Sequence, residues 1–259
     1  MRRMTEPAGR WLRCYQPRQA VGCRLICLPH AGGSASAYRA WPALVGERIE
    51  VHIAQYPGRE DRYAEPHVHD LPTAAARIAD EVAPLTRGRY ALFGHSMGGA
   101  IAYEVAVMLL QRGLPPPVHL FVSGREPPVH HRDGTVHSLD DEGIAAELIR
   151  LSPSNKELLA EPELAALVLP IIRSDYRLIE SYRPGADVVL PVRITVLAGI
   201  DDGELSLAEA RDWSRYTDRE MRLRTFPGDH FFLNEHRRAV TGLIAETLSP
   251  IADPLPPAP

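Results

Sequence analysis

Residues Tyr90–Tyr103 read Y-A-L-F-G-H-S-M-G-G-A-I-A-Y, and no other stretch constrains the fold as tightly. Tyr90 to Phe93 is a short apolar run of the kind a buried strand supplies, and from Gly99 toward Leu110 the chain continues as a small-residue helix. Between them Gly94-His95-Ser96-Met97-Gly98 is G-x-S-x-G in a strand–turn–helix setting. The spacing has a steric cause. A serine lifted clear of a sheet must sit in a strained backbone conformation. Neighbouring chain passes that close only where the residues two before and two after are small, as Gly94 and Gly98 are. A helix starting directly after the serine aims its first free N–H groups, including that of Met97, at the place where negative charge develops during attack on a carbonyl. Ser96 is therefore expected to be a nucleophile.

A serine hydroxyl needs an adjacent base to act at neutral pH. After this type of turn the partners follow in the order Ser…Asp/Glu…His, each in a loop beyond a strand. The last strand expected, Met221–Phe226, runs into Pro227-Gly228-Asp229-His230, which puts His230 in place as general base. His30 and His95 also sit at strand ends, but both precede any such carboxylate in the chain. The strand before, Val192–Ala198, ends in Gly199-Ile200-Asp201-Asp202-Gly203. Both aspartates are candidates for the orienting acid, and spacing does not choose between them; Asp229 is a third, which points elsewhere if His230 faces the serine. The second oxyanion donor should come from the loop after the first strand, Pro29-His30-Ala31-Gly32-Gly33, with Ala31 N–H paired with Met97 N–H.

Around these points the chain alternates. Strands are expected at Arg24–Leu28, Glu50–Tyr56, Val118–Val122, Val192–Ala198 and Met221–Phe226 besides the one leading to Ser96. Helices are expected at Ser36–Val45, Leu71–Leu85, Ser206–Tyr216 and Phe232–Leu248. Strands alternating with helices imply an α/β fold, a mostly parallel sheet covered on both faces. Between Gly124 and Pro191 the rhythm is suspended by helical segments at Leu139–Leu151, Asn155–Leu159 and Glu163–Tyr182. A helical lid at about 130–185, inserted before the penultimate strand, fits the rule that ligands bind beyond the carboxyl ends of parallel strands. We expect a poorly ordered lead-in over 1–20, a single domain over 21–248, and a disordered proline-rich tail over 249–259.

Composition narrows the partners. A net charge of −4 gives no basic field, so nucleic acid is not expected as a ligand. Cys14, Cys23 and Cys27 are an odd, clustered set, which argues against a disulfide framework and for a reducing compartment. With no apolar run behind Arg2 and Arg3, and none of about 20 residues elsewhere, neither a secretory signal nor a membrane span is expected, and the location expected is cytoplasmic.

Taken together, P-H-A-G-G-S-A (29–35), Q-Y-P-G-R-E-D-R (55–62), F-G-H-S-M-G (93–98), F-V-S-G-R (121–125), S-D-Y-R-L-I-E-S-Y (174–182) and F-P-G-D-H-F-F-L (226–233) resemble the type II thioesterases. These are stand-alone α/β-hydrolases that accompany polyketide synthases and nonribosomal peptide synthetases. The resemblance runs from about Leu25 to Leu248. It implies hydrolysis of aberrant or stalled acyl groups from the phosphopantetheine arm of acyl or peptidyl carrier proteins, without metal or redox cofactor. It also implies a catalytic Ser96, Asp202 and His230. Asp202 is taken from the family's G-D-x-D-P pattern, of which this chain keeps the last aspartate but neither the first nor the proline. An acyltransferase or a small-ester hydrolase using the same three residues is the alternative.

Overall fold

The computed structural model describes residues 11–252. Seven strands form one sheet in the order β1-β3-β2-β4-β5-β6-β7. They are β1 (Leu12–Arg13), β2 (Cys23–Leu28), β3 (Ile49–Ala54), β4 (Tyr90–His95), β5 (His119–Ser123), β6 (Arg193–Gly199) and β7 (Met221–Phe226). All neighbours run parallel except β1, which lies antiparallel against β3. This is the α/β-hydrolase architecture, and the residues of each strand show why both faces are covered. Leu25, Cys27, Val51, Ile53, Phe93 and Phe121 point to one face, where Phe232, Val240, Ile244 and Leu248 close over them. Ile26, Leu28, Leu92, Leu120 and Val122 point to the other, beneath α1 (Leu71–Val82) and α2 (Met97–Gln111). Strands buried on both sides read as near-continuous apolar runs, as β4 does.

Both helices begin where the sequence tells them to. In α1 the Asp70 carboxylate accepts the Thr73 N–H at 2.8 Å, with Pro72 in the first turn. Helix α2 is buried along nearly its whole length, which its run of Gly98, Gly99, Ala100, Ala102 and Ala106 permits by letting it sit close to the sheet and to α1.

Between β5 and β6 the chain leaves the sheet to form α3 (Asp141–Leu151), α4 (Asn155–Leu159) and α5 (Pro162–Glu180). Ile144, Leu148, Leu169 and Ile172 give this insertion a small core of its own. After it come α6 (Leu207–Arg211), opened by a reciprocal Ser206–Glu209 capping box, then α7 (Phe232–Glu235) and α8 (Arg237–Ala252). Among the described residues, no helix is long and apolar enough to cross a membrane.

Several expectations are corrected. The expected helix over Ser36–Val45 is two 3-10 turns, Ala35–Tyr38 and Trp41–Ala43. Pro42 supplies no N–H for an α-helical ladder, and Tyr38 and Trp41 instead turn inward against Phe93, with ring centroids 4.7–5.8 Å apart. The helix expected to reach Leu85 changes to a 3-10 turn at Ala83, one residue before Pro84, for the same reason. Helical structure after β7 breaks at His236, whose Nε2 lies 2.9 Å from Pro227 O.

The lead-in is not loose throughout. Trp11 and Leu12 are buried, Gln55 N–H donates to Trp11 O at 2.8 Å, and the Arg62 guanidinium lies 4.7 Å from the Trp11 ring centroid. The edge strand Leu12–Arg13 is only two residues long, too short for any alternation to show in the sequence. At the other end α8 continues past Ser249 and through Pro250 to Ala252, because a proline in the last turn forfeits only one ladder bond and Ile251 packs against the core. Residues 1–10 and 253–259, the rest of the expected lead-in and tail, lie outside the described residues.

Candidate active site

Ser96 stands between β4 and α2 with φ 54° and ψ −121°. Among the described residues only Glu60 shares a positive φ without being glycine. The turn is locked from both sides: Ser96 N–H donates to Ser123 O and Gly99 N–H to Ser96 O, each at 2.8 Å. The glycines are there because nothing larger fits. A Cβ on Gly94 would lie 2.0 Å from Gly98 O, and one on Gly98 would lie 2.0 Å from Leu28 O. Met97 is the first residue of α2, so its N–H has no acceptor one turn earlier in the helix.

The β7–α7 loop brings His230 beside this turn. Gly228 takes φ 107°, and Gly199 must be glycine because a Cβ there would lie 2.4 Å from Asp229 O. His230 is 3% exposed, and its Nδ1 lies 3.0 Å from both carboxylate oxygens of Asp202. The Asp202 side chain is fully buried and also accepts the Glu204 N–H at 2.9 Å, so one aspartate both shapes its turn and holds the imidazole. Asp201 is exposed and joins the turn through its backbone N–H, which donates to Gly228 O. Asp229 faces away, accepting Phe231 N–H and the Ser152 hydroxyl at 2.7 and 2.6 Å and so tying the end of α3 to the histidine loop. That link is not legible in the sequence, because the two residues stand 77 positions apart and nothing local to Ser152 points to a partner.

Ser96, Met97, Ala31 and His230 line one cavity of about 250 Å³, roofed by residues of the insertion that include Leu148, Tyr176 and Ile179. The cavity thus presents a hydroxyl, an imidazole whose Nδ1 is engaged by a carboxylate, and two backbone positions able to offer N–H groups to a carbonyl oxygen. That set can perform acyl transfer through a covalent serine intermediate.

Two further histidines sit behind it. His95 is buried, with Nδ1 3.0 Å from Ser123 Oγ, and its pKa is held well below the ordinary imidazole range by burial and then by His230 and His30. Burial, with His230 next, lowers His30 from 6.5 to about 4. The unfolded chain therefore binds a proton on His30 between pH 6.5 and about 4 that the folded protein refuses. Stability from this residue is full above pH 6.5 and is lost as pH falls through that window, by roughly 3 kcal/mol. Urea denaturation at about pH 7.5 and about pH 4.5 should show that loss, and His30→Phe, which keeps the ring packing on Phe231, should reduce it. An unchanged pH slope in the variant would contradict this account.

Comparison with known proteins gives a consistent picture. Residues 23–248 match the model of the thioesterase domain family. A probable cadicidin biosynthesis thioesterase of Streptomyces griseus is 44% identical over 245 residues, covering 95% of this chain and 68% of that protein. Thioesterase PikA5 of Streptomyces venezuelae is 40% identical over 244 residues, covering 93% of this chain and 86% of that one. The solved structure of the type II thioesterase BorB from the borrelidin biosynthetic cluster superposes with a TM-score of 0.81 at 42% identity, covering 92% of this chain and 97% of the other.

Proposed function

The chain belongs to the thioesterase family, and on that premise we propose that it removes acyl groups held as thioesters on the phosphopantetheine arm of carrier proteins. It is a thioester hydrolase with the α/β-hydrolase fold. The catalytic residues of this reading are Ser96, His230 and Asp202, with Ala31 and Met97 N–H groups as the oxyanion hole and the insertion as a lid over a single domain. The observation that carries it is the buried Asp202–His230 pair opening onto the same cavity as the strained Ser96. Kinship with a cadicidin biosynthesis thioesterase and with BorB of the borrelidin cluster supports the carrier-bound substrate class.

The steps follow from the donors and acceptors. Asp202 accepts the Nδ1–H of His230, which leaves Nε2 free to take the proton of the Ser96 hydroxyl as Oγ attacks the thioester carbonyl carbon. The two N–H groups hold the resulting oxyanion, an interaction often worth roughly 3–4 kcal/mol per donor. The carbon–sulfur bond breaks, and the departing sulfur receives the proton from His230. Water then attacks the acyl-serine with His230 again as base, releasing the acid and restoring the hydroxyl. Every atom that moves comes from substrate, water or these side chains.

The test compares one acyl group on three leaving thiols or alcohols: a phosphopantetheinylated carrier protein, N-acetylcysteamine and p-nitrophenol. We expect the carrier-bound form to give the highest kcat/KM, with free acid as product. A preference for the p-nitrophenyl ester would point to a small-ester hydrolase. Transfer to an added thiol or alcohol in preference to water would point to an acyltransferase.

A further inference from the structure

The motif Gln55–Arg62 takes no part in the chemistry above, yet it is wrapped around the loop that carries Ala31. Tyr56 OH donates to Pro29 O at 3.1 Å, and Gln55 Oε1 accepts the Ala35 N–H at 2.7 Å. Arg59 Nη1 donates to Gly33 O at 2.9 Å, and the same guanidinium forms a two-pronged pair with Asp175 at 2.6 and 2.7 Å. Both side chains are 4% exposed. Asp175 also accepts the backbone N–H of Gly32 at 2.7 Å. Gly32 itself has φ +81°, and a Cβ there would lie 2.7 Å from Ile172 Cγ1. Ile172 and Asp175 both belong to α5, the helix whose Tyr176 and Ile179 roof the cavity.

A buried ion pair of this kind is a poor source of stability. Desolvating two charges offsets most of their attraction, and apolar side chains of similar volume often serve the fold as well. What an apolar pair does not supply is a carboxylate oxygen at the Gly32 N–H. That hydrogen bond fixes the peptide plane between Ala31 and Gly32, and with it the direction of the Ala31 N–H on the plane before. Two-pronged pairing with Arg59 holds the carboxylate in one orientation. We propose that Arg59 and Asp175 are positioning residues for the oxyanion hole, Asp175 reaching from α5 to hold Gly32 so that Ala31 N–H meets the reacting carbonyl. This rests on the assignment of Ala31 to the oxyanion hole made above.

The experiment separates the hydrogen bond from the charge. Removing one partner alone would strand a buried charge, so Arg59→Met/Asp175→Asn is compared with Arg59→Met/Asp175→Leu. Both lack the ion pair, but only the first keeps a carbonyl oxygen for Gly32 N–H. On acyl-N-acetylcysteamine the leucine pair should fall about a hundredfold below the asparagine pair in kcat, the scale of one lost oxyanion donor. KM should stay within about threefold, because the loss is confined to the transition state. A trifluoromethyl ketone analogue, whose adduct with Ser96 carries the oxyanion, should weaken in parallel, whereas a thioether analogue without the carbonyl should bind as before. If the leucine pair does not fold, Arg59→Met/Asp175→Ala makes the same comparison. Equal kcat in the two pairs, or equal loss of both analogues, would overturn the proposal. Ser96→Ala, assayed alongside, keeps the two levels distinct. Turnover surviving in that variant removes the site assignment itself, while an inactive Ser96→Ala beside two equally active pairs removes only the role given to Arg59 and Asp175.

Discussion

Ser96→Ala is expected to lower thioesterase turnover by about 10⁴-fold or more, the scale on which loss of the nucleophile acts in serine hydrolases. The fold should be indifferent to the change. Among the described residues no hydrogen bond uses the Ser96 hydroxyl, whereas the backbone bonds that lock the turn, to Ser123 O and from Gly99 N–H, remain. Removing a half-buried hydroxyl with no partner in the fold should shift stability by no more than about 0.5 kcal/mol. Circular dichroism and a thermal melt alongside the assay would separate lost chemistry from lost structure. Retention of more than a few per cent of the rate by a folded variant would mean that the hydroxyl is not the attacking group.

The second large effect concerns the paired aspartates. Asp202→Asn should cut kcat by about 10⁴-fold, because an amide in place of the carboxylate favours the wrong imidazole tautomer and leaves Nε2 protonated where it should accept. Both Asp202 oxygens lie 3.0 Å from His230 Nδ1 in a side chain with no solvent exposure, so no water molecule can stand in for the lost charge. Asp201→Asn should stay within about threefold of the unmodified enzyme, as exposed substitutions away from such features usually do. Its carboxylate is exposed, and its place in the turn is held by a backbone N–H that the substitution keeps. Steady-state kinetics on both variants decides the matter. An inactive Asp201 variant beside an active Asp202 variant would exchange the two roles.

How much of this was legible in the chain depended on the range of the forces involved. The Ser96 turn could be read because its constraint is local. Gly94 and Gly98 are dictated by backbone atoms within a few residues or on the adjoining strand, and no side chain fits the gaps of 2.0 Å they occupy. The central strands and the helical insertion were legible for a similar reason, since burial on both faces leaves an apolar run that the sequence displays. The order of the strands in the sheet and the edge strand Leu12–Arg13 were not. The 3-10 turns at Ala35–Tyr38 and Trp41–Ala43 were not, because the pull of Tyr38 and Trp41 toward Phe93 is tertiary and spacing alone mimics a helix.

Paired positions resisted most. Asp201 and Asp202 have the same chemistry, and only closure of the β7–α7 loop decides which carboxylate is buried. Arg59 and Asp175 stand 116 positions apart, and each looks like an ordinary surface charge until the fold buries both. Ser152 meeting Asp229 is a contact of the same kind, 77 positions apart. In each case the sequence displayed the chemical group while three-dimensional closure supplied its partner.

The most direct test of the central claim, that Ser96 takes the acyl group from a carrier-bound thioester, is to look for that group on the enzyme. The protein would be mixed with an acylated, phosphopantetheinylated carrier protein, quenched in acid within the first turnover, digested and analysed by mass spectrometry. The account predicts the acyl mass on the peptide containing Ser96, its decay as free acid appears, and its absence in Ser96→Ala. Hydrolysis of the carrier thioester at an undiminished rate in Ser96→Ala, or an acyl group captured on any other residue, would contradict it.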